Sequence, residues 1–154
     1  MNKNVSLLAI SYVFGFTAAT ITVFLGAIIG SQITSIKSLS TLPVALSVVG
    51  TAICTILAAK IMSKIGRRLG FIFAALGSSA AALVATFAIY QQNFILFCIS
   101  NLILGMGMAF THQYRFAAAE SVEKEKAPKA ISILMLSGIV AGFLGITSAN
   151  FTKN

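Results

Sequence analysis

Acidic residues are nearly missing from this chain. It has three in 154 residues, Glu120, Glu123 and Glu125, and no aspartate. All three stand in one short stretch, so no carboxylate falls inside a long apolar run. A carboxylate proton relay within the membrane therefore has no carrier among these residues. Histidine occurs once, at His112. With no acid inside the runs to orient it, there is no Ser/His/acid set, and no His/Cys cluster has metal-ligand spacing. Cysteine occurs twice, at Cys54 and Cys98, both inside apolar runs, with no CxxC. Buried free thiols of this kind act as small hydrophobes. No glycine-rich phosphate loop follows a strand pattern. The expectation is a chain that is not an enzyme and holds no metal or cofactor.

Charge itself is scarce. Charged residues make up 9% of the chain, against about 25% in a soluble domain. Hydrophobic residues reach 58%, against about 45–50%, and mean hydropathy is +0.96. These values exclude a soluble one-domain enzyme. They also exclude disorder, which requires low hydrophobicity and high charge. What remains is an all-α integral membrane bundle.

Five apolar runs are present, at 5–30, 42–62, 69–90, 94–119 and 130–149. Each has about 20 residues or more, enough to cross a hydrocarbon core about 30 Å thick. The first run is too long for a signal-peptide core and has no A-x-A cleavage pattern, so a retained span is expected. The connections are short and no linker separates the runs. The expectation is a single membrane domain over 1–154, with loops at 63–68 and 120–129. Pro43 and Pro128 suit the first turns of the helices that follow them.

Eleven Lys and Arg give a net charge of +8. They lie between apolar runs and not on one polar face, which argues against nucleic acid and for loop charge that sets orientation. With the N-terminus in the cytoplasm, Lys3, Lys60, Lys64, Arg67, Arg68, Arg115, Lys124, Lys126 and Lys129 fall on that side. Lys37, Lys153 and the terminal Asn154 fall outside. The expected location is the cell (inner) membrane, multi-pass, with the lipid bilayer as a partner. Glu123, Lys124, Glu125 and Lys126 read as a solvated face.

Small residues recur at helical spacing within the runs. They are Ser47, Thr51, Cys54 and Ala58; Gly70, Ala74, Ser78, Ala81 and Ala85; and Gly138, Gly142 and Gly145. Such stripes let helices approach closely, so the three glycines of the last run are expected to pack against a neighbour. Polar residues inside the runs are few. Tyr12, Thr17, Thr20 and Thr22 lie in the first. Ser and Thr there commonly bond their own helix. Asn101 differs, because an amide in hydrocarbon needs a partner or water. It either lines a cavity or bonds another helix. His112, Gln113 and Arg115 lie near the end of the fourth run. An ionisable group at that depth is a functional candidate, and Arg115 has the alternative of snorkelling to the interface. Glu120 is placed to pair with Arg115 or to act at the helix end.

The turn between the second and third runs reads Ala59-Lys60-Ile61-Met62-Ser63-Lys64-Ile65-Gly66-Arg67-Arg68. It resembles the G-x-L-A-D-R-x-G-R-R loop signature of the major facilitator superfamily, which joins the second and third helices. Gly66, Arg67 and Arg68 match, Lys64 keeps a charge, and Ala59 and Ser63 replace the Gly and Asp. Leu104-Gly105-Met106-Gly107-Met108-Ala109 is similar to the R-x-x-x-G-x-G run of the family's fourth helix, with Asn101 where the family has Arg. The stretch from Gly138 to Gly145 resembles the glycine-rich fifth helix of drug antiporters, without its Pro.

The resemblance implies the N-terminal portion, helices 1–5 of 12, of a secondary transporter, as a truncated frame or fragment. It implies that a small solute passes near the midplane by alternating access. Tyr12, Thr17, Asn101 and Gln113 would line the path. Ser63, Lys64, Gly66, Arg67 and Arg68 would act in gating, with Ser63 unable to form the family's acidic latch. His112, Arg115 and Glu120 mark the end of the fourth span. Such a chain is expected to be inactive alone, its partner being a complementary permease half or another membrane protein. The alternatives are a small membrane interaction or assembly protein, or a nonfunctional remnant of a truncated permease gene.

Overall fold

The computed structural model describes residues 3–151, with side chains described for 5–148. The expectations resting on Lys3, Lys153 and Asn154 lie outside the described side chains. The described residues form six α-helices: α1 (Lys3–Ile33), α2 (Leu42–Ile65), α3 (Arg67–Tyr90), α4 (Phe94–His112), α5 (Tyr114–Glu120) and α6 (Ala127–Phe151). They contain no strand. Among them, five segments are long and apolar enough to span a membrane: Val5–Ile33, Lys37–Ile65, Arg67–Tyr90, Phe94–Glu120 and Lys124–Ser148. The protein is an all-α, multi-pass membrane bundle, because only helices of this length satisfy their backbone groups inside hydrocarbon.

The helix ends follow from local chemistry. Pro43 sits in the first turn of α2, where its missing N–H is not needed. Gly66 alone separates α2 from α3, at φ 85° and ψ 154°, and its N–H donates to the Met62 carbonyl at 3.0 Å. Only glycine adopts that backbone region without strain. The turn before α4 is closed by Asn93, whose Oδ1 accepts the Leu96 N–H at 3.0 Å. The fourth span is not one continuous helix. It breaks at Gln113, which ends α4 and caps α5.

Large apolar side chains point outward on the long helices: Phe14 is 74% exposed, Leu83 72% and Phe143 72%. Lipid replaces water as the solvent for such surfaces. Burial of apolar area then does little to hold helices together, and close packing of small residues does more.

The chain forms two compact units, residues 22–110 and residues 1–21 with 111–154. In the 22–110 unit, α2 and α4 meet backbone to backbone. A Cβ on Gly50 would collide with the Leu102 carbonyl, and one on Gly105 with the Ser47 carbonyl. Cys54, Ala58 and Ala109 continue the contact as a buried cluster, with Met106 and Phe110 against it. On α3, Ser78 lies against Gly107, and Gly70 is covered by Met62.

In the second unit, the first part of α1 packs with α5 and α6 around Val5, Tyr12, Ala118, Ala130 and Leu134. Gly138 lies beside the Tyr12 ring, with 3.2 Å between a built Cβ and Cε1. Gly145 lies against Thr20, at 2.8 Å from Cβ to Cβ. Gly142 does not share this packing. A Cβ there meets nothing within 4 Å, although its spacing places it on the same face as the other two.

Candidate functional site

Most hydroxyls inside the helices bond their own backbone. Thr20 donates to Phe16, Thr55 to Thr51, Thr86 to Ala82 and Ser100 to Phe97. Thr51 and Thr17 reach a neighbouring helix. Thr51 donates to the Gly105 carbonyl at 2.9 Å, and Thr17 to the Ala141 carbonyl at 3.3 Å. Thr17, read from sequence as a path residue, therefore has its hydroxyl engaged by α6.

Asn101 is 1% exposed. Its Nδ2 donates to the Phe97 carbonyl of its own helix at 2.8 Å. Its Oδ1 is buried and has no partner in the structure. Gly26 of α1 approaches closely enough that a Cβ there would be 3.8 Å from Oδ1 and 3.1 Å from Val44 of α2. In this structure the amide is buried and bonds no other helix. Its donor side is satisfied by its own helix turn, and its acceptor is left over. An unpaired buried acceptor costs about 1–3 kcal/mol.

The remaining candidates lie in the other unit. Tyr12 is buried and stacks on Phe16, with ring centroids 5.2 Å apart and planes at 29°. Tyr114 meets Tyr12 edge-on at 6.4 Å, and His112 meets Phe16 edge-on at 6.2 Å. Arg115 Nη2 lies 3.2 Å from His112 Nδ1. A guanidinium has no acceptor, so Arg115 donates and the imidazole proton of this pair sits on Nε2. Gln113 is buried at the α4–α5 break, and its carbonyl accepts the Ala117 N–H at 3.0 Å. Glu120, exposed at the end of α5, is engaged within the protein.

The fold thus joins Tyr12, His112 and Arg115 through Phe16, which sequence reading passed over, and sets Tyr114 against Tyr12. Phe16 carried a usable signal, since it lies one helical turn after Tyr12. Gly26 and Gly50 were also passed over. Gly50 carried the better signal, three residues after Ser47 and four before Cys54.

In the Lys60–Arg68 stretch, Ser63 Oγ donates to the Lys60 carbonyl at 2.8 Å. Lys60, Lys64 and Arg68 are exposed and Arg67 is half-buried. Among the described residues, no three of His, Cys, Asp and Glu come together as a metal site would require.

The sequence model of the Major Facilitator Superfamily matches residues 5–152. A riboflavin transporter, RfnT of Brucella anthropi, is 34% identical over 152 residues, covering 99% of this chain and 38% of that protein. Two uncharacterised MFS-type transporters of Bacillus subtilis are also similar. YdeG is 31% identical over 91% of this chain and 33% of its own length, and YddS 24% over 96% and 34%. The chain spans a little over a third of the length of the Brucella relative. No solved structure matches.

Proposed function

This chain belongs to the Major Facilitator Superfamily, and on that premise we propose that it supplies the N-terminal helices of a secondary transporter working by alternating access. Members of the family are transporters, which accords with a chain that is not an enzyme. The bilayer surrounds the protein, and its cargo is a small solute.

The observation that carries this reading is the orphaned acceptor of Asn101. An unpaired oxygen in hydrocarbon is costly, and it is tolerated where a donor arrives during function. A solute N–H or O–H is such a donor. The Brucella relative is named a riboflavin transporter, and riboflavin offers both hydroxyl and imide donors. We therefore take a polyhydroxylated or heterocyclic solute of that kind as the first candidate cargo. Asn101 is its hydrogen-bonding contact. Tyr12 and Gln113, which are also buried, are further path candidates. The Lys64–Arg68 turn acts in gating through its charge and its glycine hinge, without the acidic latch that Ser63 replaces. The charge bias of the loops supports a cytoplasmic N-terminus in the cell membrane.

Exchange of the equivalent N-terminal segment of the Brucella transporter for residues 1–154 tests this. The chimera is expected to restore riboflavin uptake to cells that cannot make it. Correct membrane insertion without uptake would sink the riboflavin-class reading. The 154-residue chain alone in liposomes is expected to show no uptake, because the opposing half of the path is missing.

A further inference from the structure

The 22–110 unit carries two features that solute binding leaves unused. The first is an apolar groove of about 260 Å³ between α2, α3 and α4. Ile61 and Ile65 of α2, Phe73 of α3, and Met106 and Phe110 of α4 form its walls. Pockets for drug-sized solutes measure about 300–1,000 Å³ and place several polar groups. This groove is smaller, and of the residues lining it only Ser78 brings a polar side chain.

The second feature is charge. Lys60, Lys64, Arg67 and Arg68 flank groove residues along the chain at the α2–α3 turn, with Lys60 and Lys64 directly before Ile61 and Ile65. Arg68 comes two residues before Gly70, which also lines the groove. Arg67 is engaged within the protein. Lys60, Lys64 and Arg68 are exposed. No acidic residue occurs anywhere between positions 22 and 110. Ser63 turns its hydroxyl to the Lys60 carbonyl and brings no charge. The counter-charge for this stretch therefore comes from outside the unit.

A narrow apolar slot flanked by exposed cations is the complement of an amphiphile with an anionic head. We propose that this groove is a binding site for one anionic phospholipid, with an acyl chain along α2, α3 and α4 and the phosphate at Lys60, Lys64 and Arg68. Cations at the membrane surface draw anionic headgroups. The groove adds a chain contact that a diffuse surface attraction lacks. The site stands apart from the identity of the transported solute.

Gly77 supplies a clean test. It lines the groove, yet a Cβ built on it meets nothing within 4 Å. Gly77→Phe puts a ring into the slot from a Cβ that meets no neighbour within 4 Å. The purified chain, in native mass spectrometry, is expected to retain phosphatidylglycerol about tenfold better than phosphatidylcholine. Gly77→Phe is expected to lose that adduct with an unchanged helical circular-dichroism spectrum. The K60Q/K64Q/R68Q variant is expected to remove the preference and leave weak binding of both lipids. Inorganic phosphate is expected to leave the adduct in place. Equal retention of the two lipids, retention of neither, displacement by phosphate, or a preference that survives Gly77→Phe would each overturn the proposal.

Discussion

The Thr51 hydroxyl on α2 donates to the Gly105 carbonyl on α4 across 2.9 Å, and it also reaches the Ser47 carbonyl of its own helix at 2.9 Å. That bond is possible because Gly105 has no side chain. Ser47, Gly50, Thr51 and Gly105 together bring two backbones into contact where hydrophobic burial gives little attraction.

The first prediction follows from that contact. Gly105→Ala would drive a Cβ into the Ser47 carbonyl, and overpacking of this kind costs about 1–3 kcal/mol. Thr51→Val removes one interhelical bond, worth about 0.6–2 kcal/mol in a membrane. Thermal unfolding in detergent, followed by thiol-reactive dye, reads both. Cys54 and Cys98 are buried and react only on opening. The expected order of melting temperature is wild type, then T51V, then G105A.

Gly66 is required by its backbone and not by its space. Nothing lies within 4 Å of a built Cβ, yet φ is 85° with ψ 154°. Gly66→Ala is expected to lose about 1–3 kcal/mol. Gly66→Asn is expected to give no rescue, because asparagine tolerates the left-handed helical region and not this one. The same unfolding assay distinguishes the two outcomes.

The glycines of α6 separate by what packs against them. Gly145→Ala meets Thr20 at 2.8 Å and is expected to lower stability. Gly142→Ala meets open space, so it is expected to be neutral or to gain about 0.5–1 kcal/mol from helix propensity. Equal losses at both positions would contradict the packing described for this helix.

Asn101→Leu separates function from stability. It removes an unpaired acceptor together with one bond inside the helix. The chain is expected to keep its stability within about 1 kcal/mol. In the chimeric transporter, solute affinity is expected to fall about five- to tenfold, the equivalent of one hydrogen bond of about 1 kcal/mol. Uptake kinetics at varied solute concentration measure this, and unchanged KM would remove Asn101 from the path.

The number and type of the spanning segments are legible in the residue pattern alone. Apolar runs of span length have one solution in hydrocarbon, because every backbone group must be satisfied within the segment itself. The turn at Gly66-Arg67-Arg68 is legible for the same local reason, since one glycine conformation closes it. Hydroxyls that bond their own helix, such as Thr20, follow from spacing along one turn.

Tertiary structure decided which faces meet. These helices are apolar all around, so no polar side marks the outside and sequence pattern does not orient them. The contact of Gly50 and Gly105 with carbonyls of the facing helix joins residues far apart in the chain. The open space beside Gly142, the joining of Tyr12 to His112 through Phe16, and the break at Gln113 also depend on neighbours. The unpaired Asn101 oxygen is the clearest case. Sequence showed an amide in hydrocarbon. Only packing decided that its donor would turn back to Phe97 while its acceptor was buried near Gly26 with no donor to meet it.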